Sequence, residues 1–525
     1  MIQRIALFFF LFNFFYQGIF AQYSGLEKID IADLKRHLSF LSSDSLQGRA
    51  FGTPVPGLDL AAGYLKKCAA EMGLSAGADG FFQIVPIISS KPDIENTFLE
   101  LTCSEGNTLF KTDSIVGLPS GANIRISNAE IVFAGFGFKD DKTGYNDFQG
   151  IDVEGKIVIF TTGTPESFQK KELPRWNNSL ETAKIENATK AGAELVLIIN
   201  NPLDEASSVF NRISRWNNRN DFSLETIKNK DDKSHFVLTT STFANALLGR
   251  KGKLVELLEK ISTKNRPNSY LVEKMRINLS ISRKTDLIQG KNVMGFVEGS
   301  HPELKNECIV FMAHYDHLGI DASGSIFNGA DDNGSGTVTL LEVAEAFIGL
   351  KEKPKRSIVF LWVTAEEEGL LGSQYYAQNP GFQIEKTMAC INIDMNGRVF
   401  EQRDTVWNKS PKRVKDFNGL YTLTNDFWPG LKEINSEVCV RIGLIPDYSL
   451  PPYFLQSSDH FSFHRLGVPI INYSTGYHAD YHKTTDEITR INFDKMKRVA
   501  DLCFLVGFEI ANYGKIEIPK NEKTN

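Results

Sequence analysis

The 525-residue chain is 42% hydrophobic and carries a formal charge of -6, which provides material for a large core and length for more than one domain. A net acidic balance lacks the basic footprint of a nucleic-acid binder, so DNA and RNA are not expected partners. The six cysteines lie far apart with no Cys-x-x-Cys pair, which excludes a zinc knuckle or a thioredoxin-type motif.

Residues 1–21, "MIQRIALFFFLFNFFYQGIFA", combine Arg4, a Phe-rich apolar run and a small Ala21, the pattern of a secretory signal peptide. Export to the periplasm or the medium is therefore expected. The run falls short of the roughly 20 apolar residues of a membrane span, and no later stretch reaches that length, so stable membrane insertion is not expected. "IADLKRHLSFLSSDSLQG" (31–48) and "GLDLAAGYLKKCAAEMGL" (57–74) carry helical spacing. "FLELTC" (98–103) begins a series of short β-like runs, "AEIVFAGFG" (129–137) and "GKIVIFT" (155–161) read as buried strands, and "KAGAELVLIINNP" (190–202) as a helix end entering a strand. Residues 126–275 are expected to form a small β-rich insertion. Residues 22–125 and 276–515 then make one discontinuous domain, and 516–525 a polar tail.

The second half alternates strands with helices. "NVMGFVEG" (292–299), "CIVFMAHYD" (308–316), "SIVFLWVTA" (357–365), "TMACINIDMNG" (387–397) and "VPIINYS" (468–474) are strand-like, while "TVTLLEVAEAFIGL" (337–350) and "DKMKRVADLCFLVGFEIANY" (494–513) are helical. The predicted class is α/β, with a mostly parallel, mixed central sheet flanked by helices on both faces and ligands bound beyond the carboxyl ends of the strands.

Those ends carry unusual chemistry. One strand runs out into His314-Tyr315-Asp316-His317, another into Glu366-Glu367-Glu368, a third into Asp394. The loops add Asp331, Asp332, His478, Tyr481 and His482, and six of the nine histidines fall between 314 and 482. A lone member of this set is an ordinary loop residue or helix cap. Several beside one another would repel unless a cation lay among them, which argues for bound metal and for a pair of ions. Imidazole with carboxylate and no thiolate suits Zn²⁺ best, with Mn²⁺ or Co²⁺ possible, and disfavours an all-oxygen Mg²⁺ or Ca²⁺ cage. Two such ions support hydrolysis.

"AHYDHLG", "GADDNGSG", "AEEEGLLGS", "NIDMNGR", "SSDHFSF" and "DYHKTTDE", in that order, resemble the M28 family of co-catalytic zinc exopeptidases, the aminopeptidase and glutamate-carboxypeptidase superfamily. The likeness spans roughly residues 30–110 and 280–515, and the insertion resembles a protease-associated (PA) domain. The resemblance implies two Zn²⁺ per chain. His314, Asp332 and Asp394 would hold one, and Asp332, as a bridge, with Glu367 and His482 the other. It further implies that Asp316 hydrogen-bonds the second nitrogen of His314, that Glu366 is the general base and that Tyr481 donates to the oxyanion. The Asp332–Asn333 peptide is expected to be cis, with Asp331 structural and Glu368 turned to solvent or to a helix start. The implied activity is an exported aminopeptidase that cleaves the N-terminal bond of peptides through a hydroxide bridging the ions. A glutamate-carboxypeptidase-like enzyme on the same site is the alternative. A one-zinc glutaminyl cyclase and an inactive receptor-like binding protein rank lower, because His314 and the rest of the ligand set are retained. His317, Asp459, His460 and His478 receive no ligand role and are expected to line or support the site.

Overall fold

The computed structural model describes residues 23–103, 106–110, 115–117, 123–168, 178–202, 220–226, 236–399, 401 and 416–518. The expected signal peptide and the end of the polar tail lie outside them. The chain divides into two compact units, one of residues 1–87 with 288–525 and one of residues 88–287. The second unit takes in the expected 126–275 insertion together with the chain on either side of it.

In the first unit the elements run α1 (Ile31–Leu41), α2 (Gly57–Glu71), β1 (Phe82–Pro92), β2 (Arg283–Val297), β3 (Cys308–His314), α3 (Gly336–Ile348), β4 (Ser357–Val363), α4 (Leu371–Gln378), β5 (Thr387–Ile393), β6 (Gly419–Thr424), α5 (Pro429–Ile442), β7 (Ile445–Asp447), α6 (His460–His464), β8 (Ile470–Ser474) and α7 (Phe493–Asn512). The strands β1 and β2 carry the chain across the unit boundary. The sheet order is β1-β2-β4-β3-β5-β8-β6-β7. The central strands β4, β3, β5 and β8 are parallel, whereas β2 and β6 join them antiparallel. The sheet is therefore mixed with a parallel centre, as the alternation of strands and helices predicts.

The strands β3, β4 and β5 are buried at every residue, which is why their sequences read as continuous apolar runs rather than alternating ones. Successive residues still go to opposite faces. Ile309, Phe311 and Ala313 of β3, with Ile358, Phe360 and Trp362 of β4, join a core shared with α1, α3 and α7. Val310, Met312, Val359, Leu361 and Val363 join the opposite core, with Tyr376 of α4 and Phe463 of α6. Each such side chain contributes roughly 1.5–3 kcal/mol by burial. The helix α7 can lie close on β3 because residue 507 is glycine, since a Cβ there would meet the Phe311 ring at 2.2 Å.

Register sets the functional edge. His314, at the end of β3, pairs with Val363 of β4, and Ile393 of β5 pairs with Tyr473 of β8. The parallel strands thus finish level, and the residues just after them gather along one rim.

The second unit has its own core. The strands Ile131–Phe133, Ile157–Thr161, Leu195–Ile199 and Phe236–Thr239 form a parallel run, and Phe98–Cys103 lies in an antiparallel sheet with Gly106–Phe110, Ile124–Ala129 and Met275–Ile281. The helices Asn178–Lys190, Ser241–Leu247 and Lys253–Lys264 complete this β-rich unit.

Candidate metal centre

Asp332 lies at the middle of the rim. Its Oδ1 is 3.5 Å from His314 Nε2 and its Oδ2 is 3.1 Å from His482 Nε2, so one carboxylate faces two imidazoles on opposite sides. On the first side Asp394 Oδ1 is also 3.5 Å from His314 Nε2, and Glu366 Oε2 is 4.0 Å away. On the second side Glu367 Oε2 is 3.4 Å from His482 Nε2. His314, Asp332 and Asp394 have donor atoms within 4.8 Å of one another, and so do His317, Asp332 and Glu367. The five residues expected as ligands, with Glu366, are therefore brought together, and His317 joins them.

The backbone explains the convergence. Asp486 Oδ2 accepts from the amides of both Asp331 and Asp332, each at 3.0 Å, and the Asp332–Asn333 peptide is cis, as the resemblance implies. Asp331 turns away from the rim, where its Oδ1 accepts from Gly397 N at 2.6 Å and its Oδ2 lies 3.3 Å from His478 Nε2. Asp316 differs in detail from expectation. His314 Nδ1 is 3.2 Å from the Asp316 backbone carbonyl and 3.8 Å from its carboxylate. That carboxylate instead accepts from the amides of Glu366 at 3.1 Å and Glu367 at 3.2 Å, and so anchors the turn that carries both glutamates. Glu368 is exposed. Tyr481 stacks on His482 with centroids 3.8 Å apart.

Two contacts had no clear signal in the sequence. His317 Nδ1 lies 2.8 Å from Glu367 Oε1, where only its place three residues after His314 hinted at a role. Arg49, fully buried, donates to the carbonyls of Tyr315, Asn328 and Gly329 and also to that of Leu41. It pins the loop that follows β3 from a position 266 residues before Tyr315. Asp459 and His460 are buried at the start of α6.

The electrostatics fit a cation. Burial pushes the Glu366 carboxyl well up, and the neighbouring Glu367, Asp459 and Asp394 add to it. His482 rises to about 10, because Asp332 and Glu367 outweigh the burial that would lower it. His314 is likewise held up against burial by Glu366 and Asp394. Glu367 and Asp394, by contrast, are held down by the imidazoles beside them against their burial, and imidazoles that keep protons beside a carboxyl that resists ionising mark a pocket with surplus negative charge. Asp394 Oδ1 is buried without a hydrogen-bond partner among the described residues, although it points toward the shared space. Nitrogen and carboxylate donors of this kind fit a divalent transition-type ion such as Zn²⁺.

The site opens into a cavity of about 540 Å³ lined by the ligand set and by Met395, Leu423, Leu450, Tyr453, Phe454 and Tyr477 among others. One wall is an aromatic ladder, Tyr453–Phe454–Tyr477–Tyr481–His482, with successive centroids 4.7, 6.0, 4.5 and 3.8 Å apart.

Comparison with known proteins finds similarity over both units. Residues 292–506 match peptidase family M28, and residues 127–243 match the PA domain. A protein named leucine aminopeptidase 1 from Pyrenophora tritici-repentis is 31% identical over 219 residues, 40% of this chain and 54% of that one, so the chain spans about half the length of such relatives. Aminopeptidase YwaD of Bacillus subtilis is 25% identical over 390 residues, 73% of this chain and 66% of that protein. In fold, an aminopeptidase from Aneurinibacillus sp. strain AM-1 superposes with a TM-score of 0.54 at 19% identity, covering 95% of this chain and 98% of that one.

Proposed function

We propose that this chain, whose residues 292–506 match peptidase family M28 and whose residues 127–243 match the PA domain, is an exported zinc aminopeptidase that removes the N-terminal residue of peptides. The observation that carries the reading is Asp332, whose two oxygens face His314 and His482 beside a buried Glu366 at the base of a cavity. His314, Asp332 and Asp394 would hold one Zn²⁺, and Asp332, Glu367 and His482 a second. Ions bound there supply Lewis acidity for the scissile carbonyl and lower the pKa of water. The relatives' printed names support the choice of aminopeptidase over carboxypeptidase. The apparent signal peptide in residues 1–21 supports export.

The protein's own groups do the rest. Glu366, whose Oε2 lies 4.0 Å from His314 Nε2, would take the proton of the attacking water and return it to the leaving amine. Its burial raises the carboxyl toward the pKa that such a shuttle needs. Asp316 keeps Glu366 and Glu367 on diverging courses by holding both amides. Tyr481, stacked on His482, would donate to the oxyanion. The apolar and aromatic walls receive the side chain of the residue being released and exclude water around it.

The test is Glu366→Gln, assayed on aminoacyl anilides and on N-acylated dipeptides. The expected result is a ~10²–10⁴-fold or larger loss of kcat with metal content unchanged, wild-type activity only on free-amine substrates, and loss of activity in chelator. Undiminished turnover by Glu366→Gln would sink the mechanism. Hydrolysis of the N-acylated dipeptides alone would instead establish a carboxypeptidase.

A further inference from the structure

Glu367 is held on two sides. Its Oε2 faces His482, while its Oε1 lies 2.8 Å from His317 Nδ1. The His317 side chain is 0% exposed, and its seat is built by the chain around it. Its amide donates to the Arg49 carbonyl at 3.2 Å. A Cβ on Gly329 would come within 2.4 Å of His317 Cδ2, so glycine at that position makes room for the ring. Arg49 bonds the carbonyls of both Tyr315 and Gly329, which fixes the two chain segments between which the ring is wedged.

The two ring nitrogens show what His317 does. A ligating imidazole uses its outer nitrogen to hydrogen-bond a further acceptor, as His314 does through Nδ1 to the Asp316 carbonyl. His317 Nε2 has no hydrogen-bond partner among the described residues. A ring hydrogen therefore belongs on Nδ1, where the Glu367 carboxylate oxygen at 2.8 Å accepts it. His317 has the arrangement of a donor to a ligand rather than that of a ligand.

Resting on the two-ion reading above, we propose that His317 is a positioning residue for the second ion. Its Nδ1–H occupies Glu367 Oε1, leaves Oε2 as the oxygen available to the metal, and so confines Glu367 to one-point coordination. A site limited in this way has a low coordination number, which favours Zn²⁺ over Mn²⁺, an ion that accepts more oxygen ligands. Without the imidazole, Glu367 is free to turn both oxygens to the ion.

The experiment titrates metal-free wild type, His317→Ala, His317→Phe and His317→Asn with Zn²⁺ and Mn²⁺ by calorimetry, and follows uptake of Co²⁺ by its visible absorption. The first ion is expected to bind all four proteins alike. The second Zn²⁺ weakens ~10–100-fold in His317→Ala, its advantage over Mn²⁺ narrows, and the absorption of the second Co²⁺ falls as its coordination number rises. His317→Phe fills the buried space without an N–H and should behave like His317→Ala, which covers the case where the smaller side chain fails to fold. His317→Asn retains an N–H toward Glu367 and should recover most of the affinity and the spectrum. Second-ion binding unchanged in both donor-less variants overturns the proposal. So does a His317→Asn protein as weak as His317→Ala with the same altered spectrum, which would mark the ring as a ligand. If wild type takes up no second ion, the two-ion reading itself fails, and that is visible before any variant is compared.

Discussion

The two units bury charge in opposite ways. In the second unit Lys184 is almost fully buried, but its Nζ donates to the Thr161 carbonyl at 2.8 Å and the Gly163 carbonyl at 3.0 Å and lies 2.8 Å from Glu181 Oε2. Glu181 Oε1 in turn accepts from Gly163 N at 2.8 Å, and nearby Asp147 accepts from two amides and the Tyr145 hydroxyl. Lys184 and Glu181 thus balance each other, and Asp147 is held by hydrogen bonds from the chain around it. At the rim of the first unit, Asp332, Asp394, Glu366 and Glu367 have imidazoles as their ion-pair partners, an Asp394 oxygen is left without a hydrogen-bond partner among the described residues, and the histidines His314 and His482 are driven to hold protons. A buried charge that the protein balances by itself belongs to the fold, whereas one that it leaves unbalanced asks for something from outside.

That contrast can be broken by substitution, and the largest effect is expected at the rim. Glu366→Gln should cost ~10²–10⁴-fold in turnover while leaving thermal stability near wild type, because no internal partner is orphaned. Lys184→Met should do the reverse. It leaves Glu181 buried and unpaired, and denaturant titration should show a loss of about 3–5 kcal/mol, while the joint replacement Lys184→Met with Glu181→Leu recovers most of it. A Lys184→Met protein of unchanged stability would remove the distinction between the two regions.

A smaller effect sharpens it. Glu342, in the buried helix α3, accepts from the Asp30 amide at 3.0 Å, and burial pushes its carboxyl from 4.5 to about 8. An acid whose pKa is higher folded than unfolded binds its proton more tightly in the native state. Its contribution is intact below about 4.5, and native stability falls as pH rises from there to about 8. Glu342→Gln should flatten that decline in a stability-against-pH profile without touching metal content. An equally steep decline in the variant would assign it elsewhere.

Much of this was legible in the sequence, for identifiable reasons. Strands covered on both faces must be apolar throughout, so β3, β4 and β5 stand out as runs, and the polar residues that end them stand out against the runs. That pattern points to His314, Glu366–Glu368 and Asp394 as candidates, and the choice of His314, Asp332, Glu367, Asp394 and His482 as the ligand set is what the likeness of six motifs to peptidase family M28 implies. The helix α5 was less legible, because its buried face includes Asn435, which hydrogen-bonds the Tyr473 hydroxyl and interrupts the apolar spacing. His317 and Arg49 were hidden for a different reason. Their roles depend on the course of the loop through Gly329 at φ +52°, which brings a ring and a distant guanidinium together without any local periodicity. The Asp316 carboxylate belongs with them, since only the traced turn shows that two amides claim it.

The central claim is that one carboxylate, Asp332, serves two ions. Calorimetric titration of the metal-free protein with Zn²⁺, wild type against Asp332→Asn, tests it most directly. The account predicts two equivalents bound by wild type and both weakened together in Asp332→Asn, because the bridge is common to the two sites. An Asp332→Asn protein that keeps one site at wild-type affinity and loses only the other would contradict it.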